Sequence, residues 1–321
     1  MSAATTKQPD RPFGRKSTAE EVSEGIDLAG RHAIVTGATA GIGLETARVI
    51  ALRGGTVTMA CRDLAKAEAV RQRFVREGEG RVKGDQFAIE HLDLASLASV
   101  RAFAKAFLLA DRPIHLMINN AGLMIPDRRL TLDGFEAHFG TNYLGHFLLT
   151  TLLLDRIRAR APARIVNVAS DAMHFASLTP AFDDLNWEQR KWSGWRSYGD
   201  SKLMNLMFTN ELNRRLAGSG VESFALHPGI VTTDLARDQG LVMKLVGSLI
   251  LPFSKNVAQG AATTLFAATR ADLAEPGTNY LSHCAPARTP KLAGDAAVEK
   301  ALWERSLELT SRISGPTGSS Q

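Results

Sequence analysis

The chain has 321 residues, of which 45% are hydrophobic and 22% charged, with a formal net charge of +5. These values are typical of one soluble globular domain and exclude a fibrous repeat or a chain that is disordered throughout. The basic residues are spread along the chain among carboxylates, which argues against a nucleic-acid partner. The only cysteines, Cys61 and Cys284, form neither a disulfide framework nor a metal-binding spacing. We therefore expect a cytoplasmic protein without a metal.

Short apolar strands and helical segments alternate along most of the chain. Strands are predicted at His32–Thr36, Thr56–Cys61, Gln86–His91, Ile114–Ile118, Arg164–Val168 and Val221–Leu226. Helices are predicted at Ile42–Arg53, Leu64–Glu77, Ser96–Ala110, Leu132–Arg160 and around Tyr198. This order predicts an α/β fold with a doubly wound parallel sheet flanked by helices in a single domain. The domain covers residues 28–312, between an N-terminal arm (1–27) and a loose C-terminal tail (313–321).

Two longer segments interrupt the alternation. Residues 171–196 are rich in aromatic side chains, and residues 236–256 are rich in Leu, Val and Met and predict a lid helix. Ligands of doubly wound sheets bind beyond the carboxyl ends of the strands, so both segments are expected to line a substrate site. The apolar run 241–253 contains Lys244 and is too short to span a bilayer. Contact of this run with a membrane surface is less economical than a buried lid or a subunit contact.

A glycine-rich turn follows the first predicted strand. Gly37, Gly41 and Gly43 allow a tight turn and a close approach of the backbone to a pyrophosphate, and the next helix offers free N–H groups there. Such a turn sometimes only connects a strand to a helix, but its position after the first strand of an alternating chain favours nucleotide binding. Thr39 and Ile42, between these glycines, are expected to contact the same cofactor.

The end of the second strand bears on the choice between NADP and NAD. The chain reads A-C-R-D from Ala60, where NAD enzymes tend to place an acidic residue against the ribose 2′-hydroxyl. Arg62 instead suits a 2′-phosphate, since a guanidinium matches phosphate geometry. Alternatively, Arg62 pairs with Asp63 on a solvated loop, or Asp63 itself accepts from a ribose hydroxyl. NADP(H) is therefore favoured over NAD(H).

Polar residues also follow the third and fourth strands. Asp93, next to Leu94, is suited either to accept from an adenine amino group or to cap the following helix. An N-N-A-G sequence ends the fourth strand. Its residues Asn120, Ala121 and Gly122 are expected at the cofactor, whereas Asn119 is at least equally suited to brace the sheet.

Tyr198 and Lys202 stand four residues apart on a predicted helix, so the phenol and the ammonium lie on one face. The spacing alone is common. Ser170, after the fifth strand, gives it a companion at the carboxyl edge of the sheet. His146, His174 and His227 lack metal-ligand spacing and are expected to be structural.

The motifs T-G-x-x-x-G-x-G, N-N-A-G, a serine after N-V-A, Y-x-x-x-K and P-G resemble, in this order, the short-chain dehydrogenase/reductase family. The resemblance covers about residues 28–312 and implies a Rossmann-type fold. C-R-D at Cys61, N-Y-L-G-H-F at Asn142 and H-P-G at His227 resemble the retinol dehydrogenase branch. F-G at Phe13 and Q-G-A-A-T-T at Gln259 are similar to the chloroplast translocon-associated members, close to the WW-domain oxidoreductase type.

The resemblance implies a proton relay. Tyr198 is the acid or base at the substrate oxygen, and Lys202 lowers the pKa of Tyr198 and holds the nicotinamide ribose. Ser170 orients the reacting oxygen; its neighbour is Ala169 where relatives often have a second serine. Asn142, a poor helix former, bends its helix and passes a water to Lys202, or is a buried polar brace. Further contacts with the nicotinamide are expected from Pro228, Gly229, Ile230 and Thr233, or from the adjacent Thr232 in place of Thr233.

The leading hypothesis is an NADPH-dependent carbonyl reductase, or the reverse alcohol dehydrogenase, for an apolar, bulky or elongated substrate. The substrate pocket is expected to include Met124, Met173, Trp192, Trp195, Leu241 and Met243. One alternative is an NAD-linked alcohol dehydrogenase. Another is a cofactor-sensing scaffold with little turnover, which the translocon-associated resemblance suggests. The resemblance also makes a homodimer through the helices that carry Asn142 and Tyr198 plausible.

Overall fold

A sheet of eight strands forms the centre of the molecule. The computed structural model describes residues 13–231, 254–270 and 279–312. The strands are β1 (His32–Thr36), β2 (Thr56–Cys61), β3 (Phe87–His91), β4 (Leu116–Asn119), β5 (Ala163–Val168), β6 (Val221–His227), β7 (Tyr280–Ser282) and β8 (Ala285–Pro286). Their order is β3-β2-β1-β4-β5-β6-β7-β8, and only the β7–β8 pair is antiparallel. The doubly wound parallel sheet predicted from the alternation is confirmed, and β7 and β8 extend it.

Helices cover both faces of the sheet. They are α1 (Ala19–Val22), α2 (Gly41–Leu52), α3 (Leu64–Glu77), α4 (Leu97–Leu109), α5 (Gly145–Arg158), α6 (Gly194–Arg215), α7 (Val257–Thr269) and α8 (Ala296–Arg312). Apolar side chains of α2, α3 and α7 form the core on one face, and those of α4, α5, α6 and α8 form the core on the other. Both layers are needed because a parallel sheet is apolar on both faces.

The long helix expected over 132–160 begins later than predicted. A turn with Gly134 at φ +81° precedes it, closed by a hydrogen bond from Phe135 N–H to the Thr131 hydroxyl at 3.2 Å. A π-helical segment, His138–Leu144, then leads directly into α5. Such segments are wider than an α-helix and occur often at functional sites. The interruption lies at Asn142, where the poor helix former predicted a bend.

Helix α8, which the alternation did not predict, packs on α5 and α6. The Trp303 ring lies 5.0 Å from the Phe147 ring and 5.7 Å from the Phe208 ring. The Tyr143 and Ser306 hydroxyls, 2.7 Å apart, add a buried hydrogen bond. The chain's own C-terminal helix therefore covers part of the surface through which a homodimer was expected. The oligomeric state stays a prediction.

Candidate active site

The glycine turn between β1 and α2 has the backbone geometry that only glycine adopts without strain. Gly37 and Gly41 have φ values of +67° and +52°. A Cβ atom on Gly43 would lie 2.5 Å from the Gly37 carbonyl oxygen and closer still to Asn120 Nδ2. Strand, turn and helix therefore approach one another more closely than any side chain permits.

The N-terminal turn of α2 is not capped by a side chain of its N-cap residue. Its N-cap residue, Ala40, makes no side-chain cap, and the first turn contains no acidic residue. By contrast, side-chain oxygens of Asp63, Ser96 and Ser193 cap α3, α4 and α6. An uncapped helix N-terminus beside a glycine cradle offers N–H donors and a partial positive charge to a phosphate. The residues present here therefore fit the diphosphate of a dinucleotide cofactor.

Thr36, the last residue of β1, ties this cradle to the end of β4. Its hydroxyl accepts hydrogen bonds from the backbone N–H groups of Asn120 at 2.9 Å and Ala121 at 3.0 Å. The Asn120 amide in turn donates to the Thr36 carbonyl at 2.9 Å. Asn119 donates instead to Asn167 Oδ1 at 2.8 Å and to the Thr150 hydroxyl, so it braces the sheet. Thr36 was not among the predicted site residues, although it directly precedes Gly37.

Arg62 lies exposed at the carboxyl end of β2. Asp63 does not pair with it in the described part of the chain: the Asp63 carboxylate accepts from Lys66 N–H at 2.8 Å and caps α3. The solvated Arg62–Asp63 pair considered from the sequence is therefore not formed, and the guanidinium stays accessible.

Asp93 follows β3 at the same edge of the sheet. Its carboxylate accepts from Ala95 N–H at 3.0 Å, whereas Ser96 is the residue that caps α4. Asp93 thus organises the turn before the helix without being its N-cap. Leu94 is buried in the core, and its carbonyl lies where a Cβ on Gly145 would collide with it.

Tyr198, Lys202 and Ser170 meet where β5 ends and α6 passes. The Lys202 ammonium donates to the Val168 carbonyl at 2.8 Å and lies 5.4 Å from the centre of the Tyr198 ring. The Ser170 hydroxyl lies close enough to the Tyr198 phenol to lower its pKa, and it accepts from Ala172 N–H at 3.2 Å. Spacing along α6 and the end of β5 thus bring a phenol, a hydroxyl and an ammonium together.

Burial dominates the ionisation of both groups. It raises the pKa of Tyr198 to about 12, although the neighbouring Ser170 hydroxyl lowers it in part. Burial lowers the pKa of Lys202 to about 8. Burial outweighs any lowering of the Tyr198 pKa by Lys202, because desolvation disfavours the charged form of each group. The tuning role expected for Lys202 stays a prediction. Tyr198 is therefore a neutral phenol near neutral pH, the form that donates a proton.

Asn142 is fully buried and held on both sides. Its Oδ1 accepts from Leu123 N–H at 2.8 Å, and its Nδ2 donates to the Leu123 carbonyl at 3.0 Å and to the Ser201 hydroxyl at 3.1 Å. A Cβ on Gly122 would lie 3.3 Å from Asn142 Oδ1 and 3.6 Å from Lys202 Nζ. The backbone at Gly122 therefore lies between the Asn142 amide and the Lys202 ammonium. A water relay between these two groups stays a prediction.

His146 connects Asn142 with the cofactor cradle. Its Nδ1 donates to the Asn142 carbonyl at 3.1 Å, and its Nε2 accepts from the Thr36 hydroxyl at 2.9 Å. Burial lowers the pKa of His146 to about 4, so the ring is neutral and both nitrogens are used. The structural role expected for this histidine agrees with these contacts. The described residues contain no group of three His, Cys, Asp or Glu that is arranged to hold a metal.

The aromatic insertion 171–196 separates into buried and exposed parts. Met173 is buried in the core, and Trp192 donates from Nε1 to the Pro126 carbonyl at 2.7 Å. Trp195 and Phe175 are exposed and line a cavity of about 650 Å³. Trp195 lies about one helical turn before Tyr198 on α6, whereas Ser170, Tyr198 and Lys202 do not line this cavity. Met124 is half-buried and, like Met173 and Trp192, does not line the cavity.

The P-G turn follows β6. Gly229 has φ +93°, a backbone conformation that other residues rarely adopt, and a Cβ there would lie 2.8 Å from the flexible Lys255 side chain. Pro228 is half-buried and Ile230 is exposed. Thr233, Leu241 and Met243, together with most of the predicted lid 236–256 and the whole apolar run 241–253, lie outside the described residues. Within the parts that are described, no helix is long and apolar enough to cross a membrane.

Comparison with known proteins agrees with this geometry. Residues 31–180 match the short chain dehydrogenase family. Retinol dehydrogenase 12 of Mus musculus is 42% identical over 284 residues, which cover 88% of this chain and 87% of that protein. The chain belongs to the short-chain dehydrogenase family. Short-chain dehydrogenase TIC 32 A, chloroplastic, of Brassica napus is 37% identical to this short-chain dehydrogenase over 318 residues, which cover 96% of the chain and 98% of that relative.

A solved structure extends the comparison to the fold. The crystal structure of an uncharacterized protein from Mycobacterium paratuberculosis superposes with a TM-score of 0.72 at 37% sequence identity. The match covers 90% of this short-chain dehydrogenase and 97% of that chain. The family, its retinol dehydrogenase-like branch and the Rossmann-type fold predicted from the motifs are therefore confirmed.

Proposed function

We propose that this short-chain dehydrogenase is an NADP(H)-dependent oxidoreductase that interconverts a carbonyl and an alcohol on an apolar, bulky or elongated substrate. The observation that carries the proposal is the meeting of Ser170, Tyr198 and Lys202 at the carboxyl edge of the sheet. Asn142 lies behind them, on the other side of Gly122. These are the groups needed to move a proton to or from a reacting oxygen.

In the proposed reduction, a bound NADPH supplies the hydride that reaches the carbonyl carbon. The Tyr198 phenol donates its proton to the carbonyl oxygen, which completes the alcohol. The Ser170 hydroxyl, which lies beside the phenol, orients that oxygen and stabilises its developing charge. Lys202 faces the phenolate that remains, and its charge favours that state until a proton returns from solvent. Oxidation of an alcohol reverses these steps.

Arg62 supports NADP(H) as the cofactor. The guanidinium is exposed beyond β2, and the neighbouring carboxylate of Asp63 is occupied as a helix cap. The 2′-phosphate of NADP(H) would accept two parallel hydrogen bonds from the Arg62 guanidinium. Arg62 would not have to break an ion pair with Asp63 to make them. The apolar substrate is supported by the exposed aromatic rings of Phe175 and Trp195 around the cavity of about 650 Å³.

The test compares Tyr198→Phe with Tyr143→Phe. Tyr143 is also a buried tyrosine, but its hydroxyl bonds Ser306 under α8, away from the proposed reaction. Oxidation of NADPH by decanal, benzaldehyde and retinal is followed at 340 nm, and NADPH affinity is measured by fluorescence. Loss of general acid catalysis is expected to lower kcat of Tyr198→Phe by about 10²–10⁴-fold while NADPH binding persists.

Two outcomes count against the proposal. If Tyr198→Phe keeps most of the parent's kcat and Tyr143→Phe behaves the same way, Tyr198 is not the proton donor. If the parent binds NADPH tightly but turns over no member of the panel, nor the matching alcohols with NADP⁺, a cofactor-sensing role replaces the enzymatic one.

A further inference from the structure

A carboxylate, an imidazole and a hydroxyl are buried together beside Tyr198. Glu136, His138 and Ser197 form this set, which we refer to as the buried triplet. The Glu136 and His138 side chains are 0% exposed. Glu136 accepts from the Ser197 hydroxyl at 2.8 Å and from the backbone N–H groups of His138 at 3.0 Å and Phe139 at 2.9 Å. Burying a carboxylate is costly, so the hydrogen bonds that surround it must be nearly complete.

These bonds keep the carboxylate ionised. Burial by itself raises the pKa of Glu136, but the hydrogen bonds from His138 and from the N–H of Phe139 outweigh it, so the net pKa is lowered. The Ser197 hydroxyl donates to this fully buried anion, and Ser197 directly precedes Tyr198 on α6.

The hydrogen bonds define the proton position on His138. Ile125 N–H donates to its Nε2 at 3.0 Å, so Nε2 carries no proton. Nδ1 lies 3.1 Å from the Ser197 hydroxyl oxygen and 3.2 Å from Glu136 Oε1, so the single ring proton is on Nδ1. Both nitrogens are engaged inside the protein. His138 is thus excluded as a direct proton donor to a substrate, and its role is to hold other groups.

The His138 imidazole lies between two aromatic rings, those of Trp192 and Tyr198. The Trp192 ring stacks parallel to the imidazole, with centroids 6.0 Å apart and planes 2° apart. The Tyr198 ring meets the imidazole edge-on, at 5.9 Å and 76°. Trp192 belongs to the insertion and Tyr198 to α6, so the imidazole separates the proposed proton donor from the aromatic segment beside it.

Backbone contacts extend the same arrangement to the rest of the insertion. Glu136 N–H donates to Asn186 Oδ1 at 2.9 Å, and Trp192 Nε1 donates to the Pro126 carbonyl at 2.7 Å. Ile125, which bonds His138, lies next to Pro126 in the loop after β4. Four segments therefore meet at the triplet: this loop, the start of the π-helical segment, the insertion and α6.

We infer that the buried triplet is a positioning device for the reaction, with His138 at its centre, which sets the Tyr198 phenol and the Trp192 indole at a defined separation. This inference rests on the proposed function for its kinetic consequence but not for the geometry. A displacement of a catalytic group by about 1 Å is enough to lower a rate by about 100-fold. Removal of the imidazole should therefore lower kcat for the carbonyl substrate while the cofactor cradle, held by Thr36 and the glycines, keeps its affinity.

The kinetic experiment uses three variants of the full chain. His138→Leu removes both hydrogen bonds of the ring, and His138→Gln restores one acceptor and one donor. His32→Leu is the matched control, because His32 is also buried and uses both ring nitrogens, on Thr56 at 2.7 Å and Thr58 at 2.9 Å at the start of β1. We measure kcat and KM with decanal and NADPH, the Kd for NADPH, and Tm.

The expected pattern is a fall in kcat of about 10–100-fold for His138→Leu with an NADPH Kd within about twofold of the parent. His138→Gln should recover most of kcat. His32→Leu should lower Tm to a similar extent as His138→Leu and leave kcat nearly unchanged. Equal losses of kcat in His138→Leu and His32→Leu, or no loss in either, would overturn the inference.

A second readout does not need turnover. The fluorescence of Trp192 is obtained as the difference between each protein and its Trp192→Phe version. In His138→Leu this emission should shift toward that of a solvent-exposed indole, whereas in His32→Leu it should match the parent. If the parent turns over no panel substrate, the proposed function fails, and this shift alone then decides the positioning role: an unchanged Trp192 emission rejects it.

Discussion

The cofactor side and the substrate side of the site are held by different kinds of contact. On the cofactor side, short polar side chains and bare backbone make the contacts: Thr36 binds the N–H groups after β4, and Gly43 packs against the Gly37 carbonyl. On the substrate side, the insertion is held by a long side chain. Arg190 bonds Asp184 at 3.1 Å and Asp200 at 3.2 Å and lies 3.8 Å from the centre of the Trp187 ring.

The difference has a physical consequence for tolerance to mutation. A backbone contact at the closest possible distance has no alternative arrangement, so a single added methyl group must displace strand, turn or helix. A partly exposed arginine shares its interactions among several partners, and each contributes little. Substitutions on the cofactor side should therefore cause a large loss of cofactor affinity, whereas substitutions on the substrate side should cause only small changes in substrate binding.

The largest effect is expected for Gly43→Ala. The new Cβ would lie 2.5 Å from the Gly37 carbonyl oxygen and against Asn120 Nδ2, so the cradle must open. Overpacking of this kind costs about 1–3 kcal/mol, and distortion of the N–H groups adds the loss of their bonds to the cofactor. The Kd for NADPH, measured by fluorescence titration, should rise by about 100-fold or more.

Gly294→Ala is the matched control for this substitution. A Cβ on Gly294 meets nothing within 4 Å, and the residue lies in the turn before α8. Its NADPH affinity should equal that of the parent. If Gly43→Ala binds NADPH as the parent does, the turn is not the diphosphate cradle.

The next effect concerns Asp200, which anchors the insertion two residues after Tyr198. Burial raises its pKa to about 6, although the Ser177 N–H and Arg190 lower it in part. Because the folded-state pKa exceeds the ordinary value of 3.8, the neutral carboxyl favours folding. That contribution is complete below pH 3.8 and is lost as pH rises through about 6, by up to about 3 kcal/mol.

Asp200→Asn should lack this pH dependence. In urea unfolding between pH 4.5 and 7.5, its free energy of unfolding should increase relative to that of the parent as pH rises, because the amide never ionises. Asp155→Asn, whose parent carboxylate is 99% exposed, should stay parallel to the parent. Parallel curves for Asp200→Asn as well would show that Arg190 keeps Asp200 ionised without cost.

The same contrast explains which elements were predictable from the sequence. On the cofactor side, β1, β2 and α3 match their predicted bounds because apolar period, caps and breakers are local signals. Helix α8 was missed: its burial depends on the Trp303 ring packing against Phe147 and Phe208, which are more than ninety residues away. No local pattern indicates such a partner.

The residues of the site also differ in whether local sequence signals predicted them. The spacing of Tyr198 and Lys202 was sufficient to place them on one helix face, and family motifs supplied their companion Ser170. His138 was missed, since its partners Ile125 and Ser197 lie 13 and 59 residues away. The raised pKa of Tyr198 was not predicted for a related reason: burial, which dominates it, is a property of the packed structure.

A smaller effect is expected for Arg62→Ser. The exposed guanidinium would lose charge-assisted hydrogen bonds to a 2′-phosphate, each of which contributes about 1.5–3 kcal/mol when well formed and less when solvated. The Kd for NADPH should rise by about tenfold, while that for NADH stays within about twofold. Arg76→Ser, at an exposed arginine near the end of α3, controls for the general loss of positive charge. An unchanged ratio of the two affinities in Arg62→Ser would remove Arg62 from the cofactor site.

The smallest effect is expected for Arg190→Ala, on the substrate side. The variant loses the bonds to Asp184 and Asp200 and the contact with Trp187, but Asn186 still bonds Glu136 N–H and Trp192 still bonds Pro126. With these contacts intact, a net loss of about 1 kcal/mol corresponds to about a fivefold rise in KM for decanal. NADPH affinity should not change. Arg71→Ala, which removes an ion pair with Glu68 on α3, is the control and should alter neither constant. A loss of NADPH affinity in Arg190→Ala as large as that in Gly43→Ala would mean that the two sides of the site are mechanically coupled.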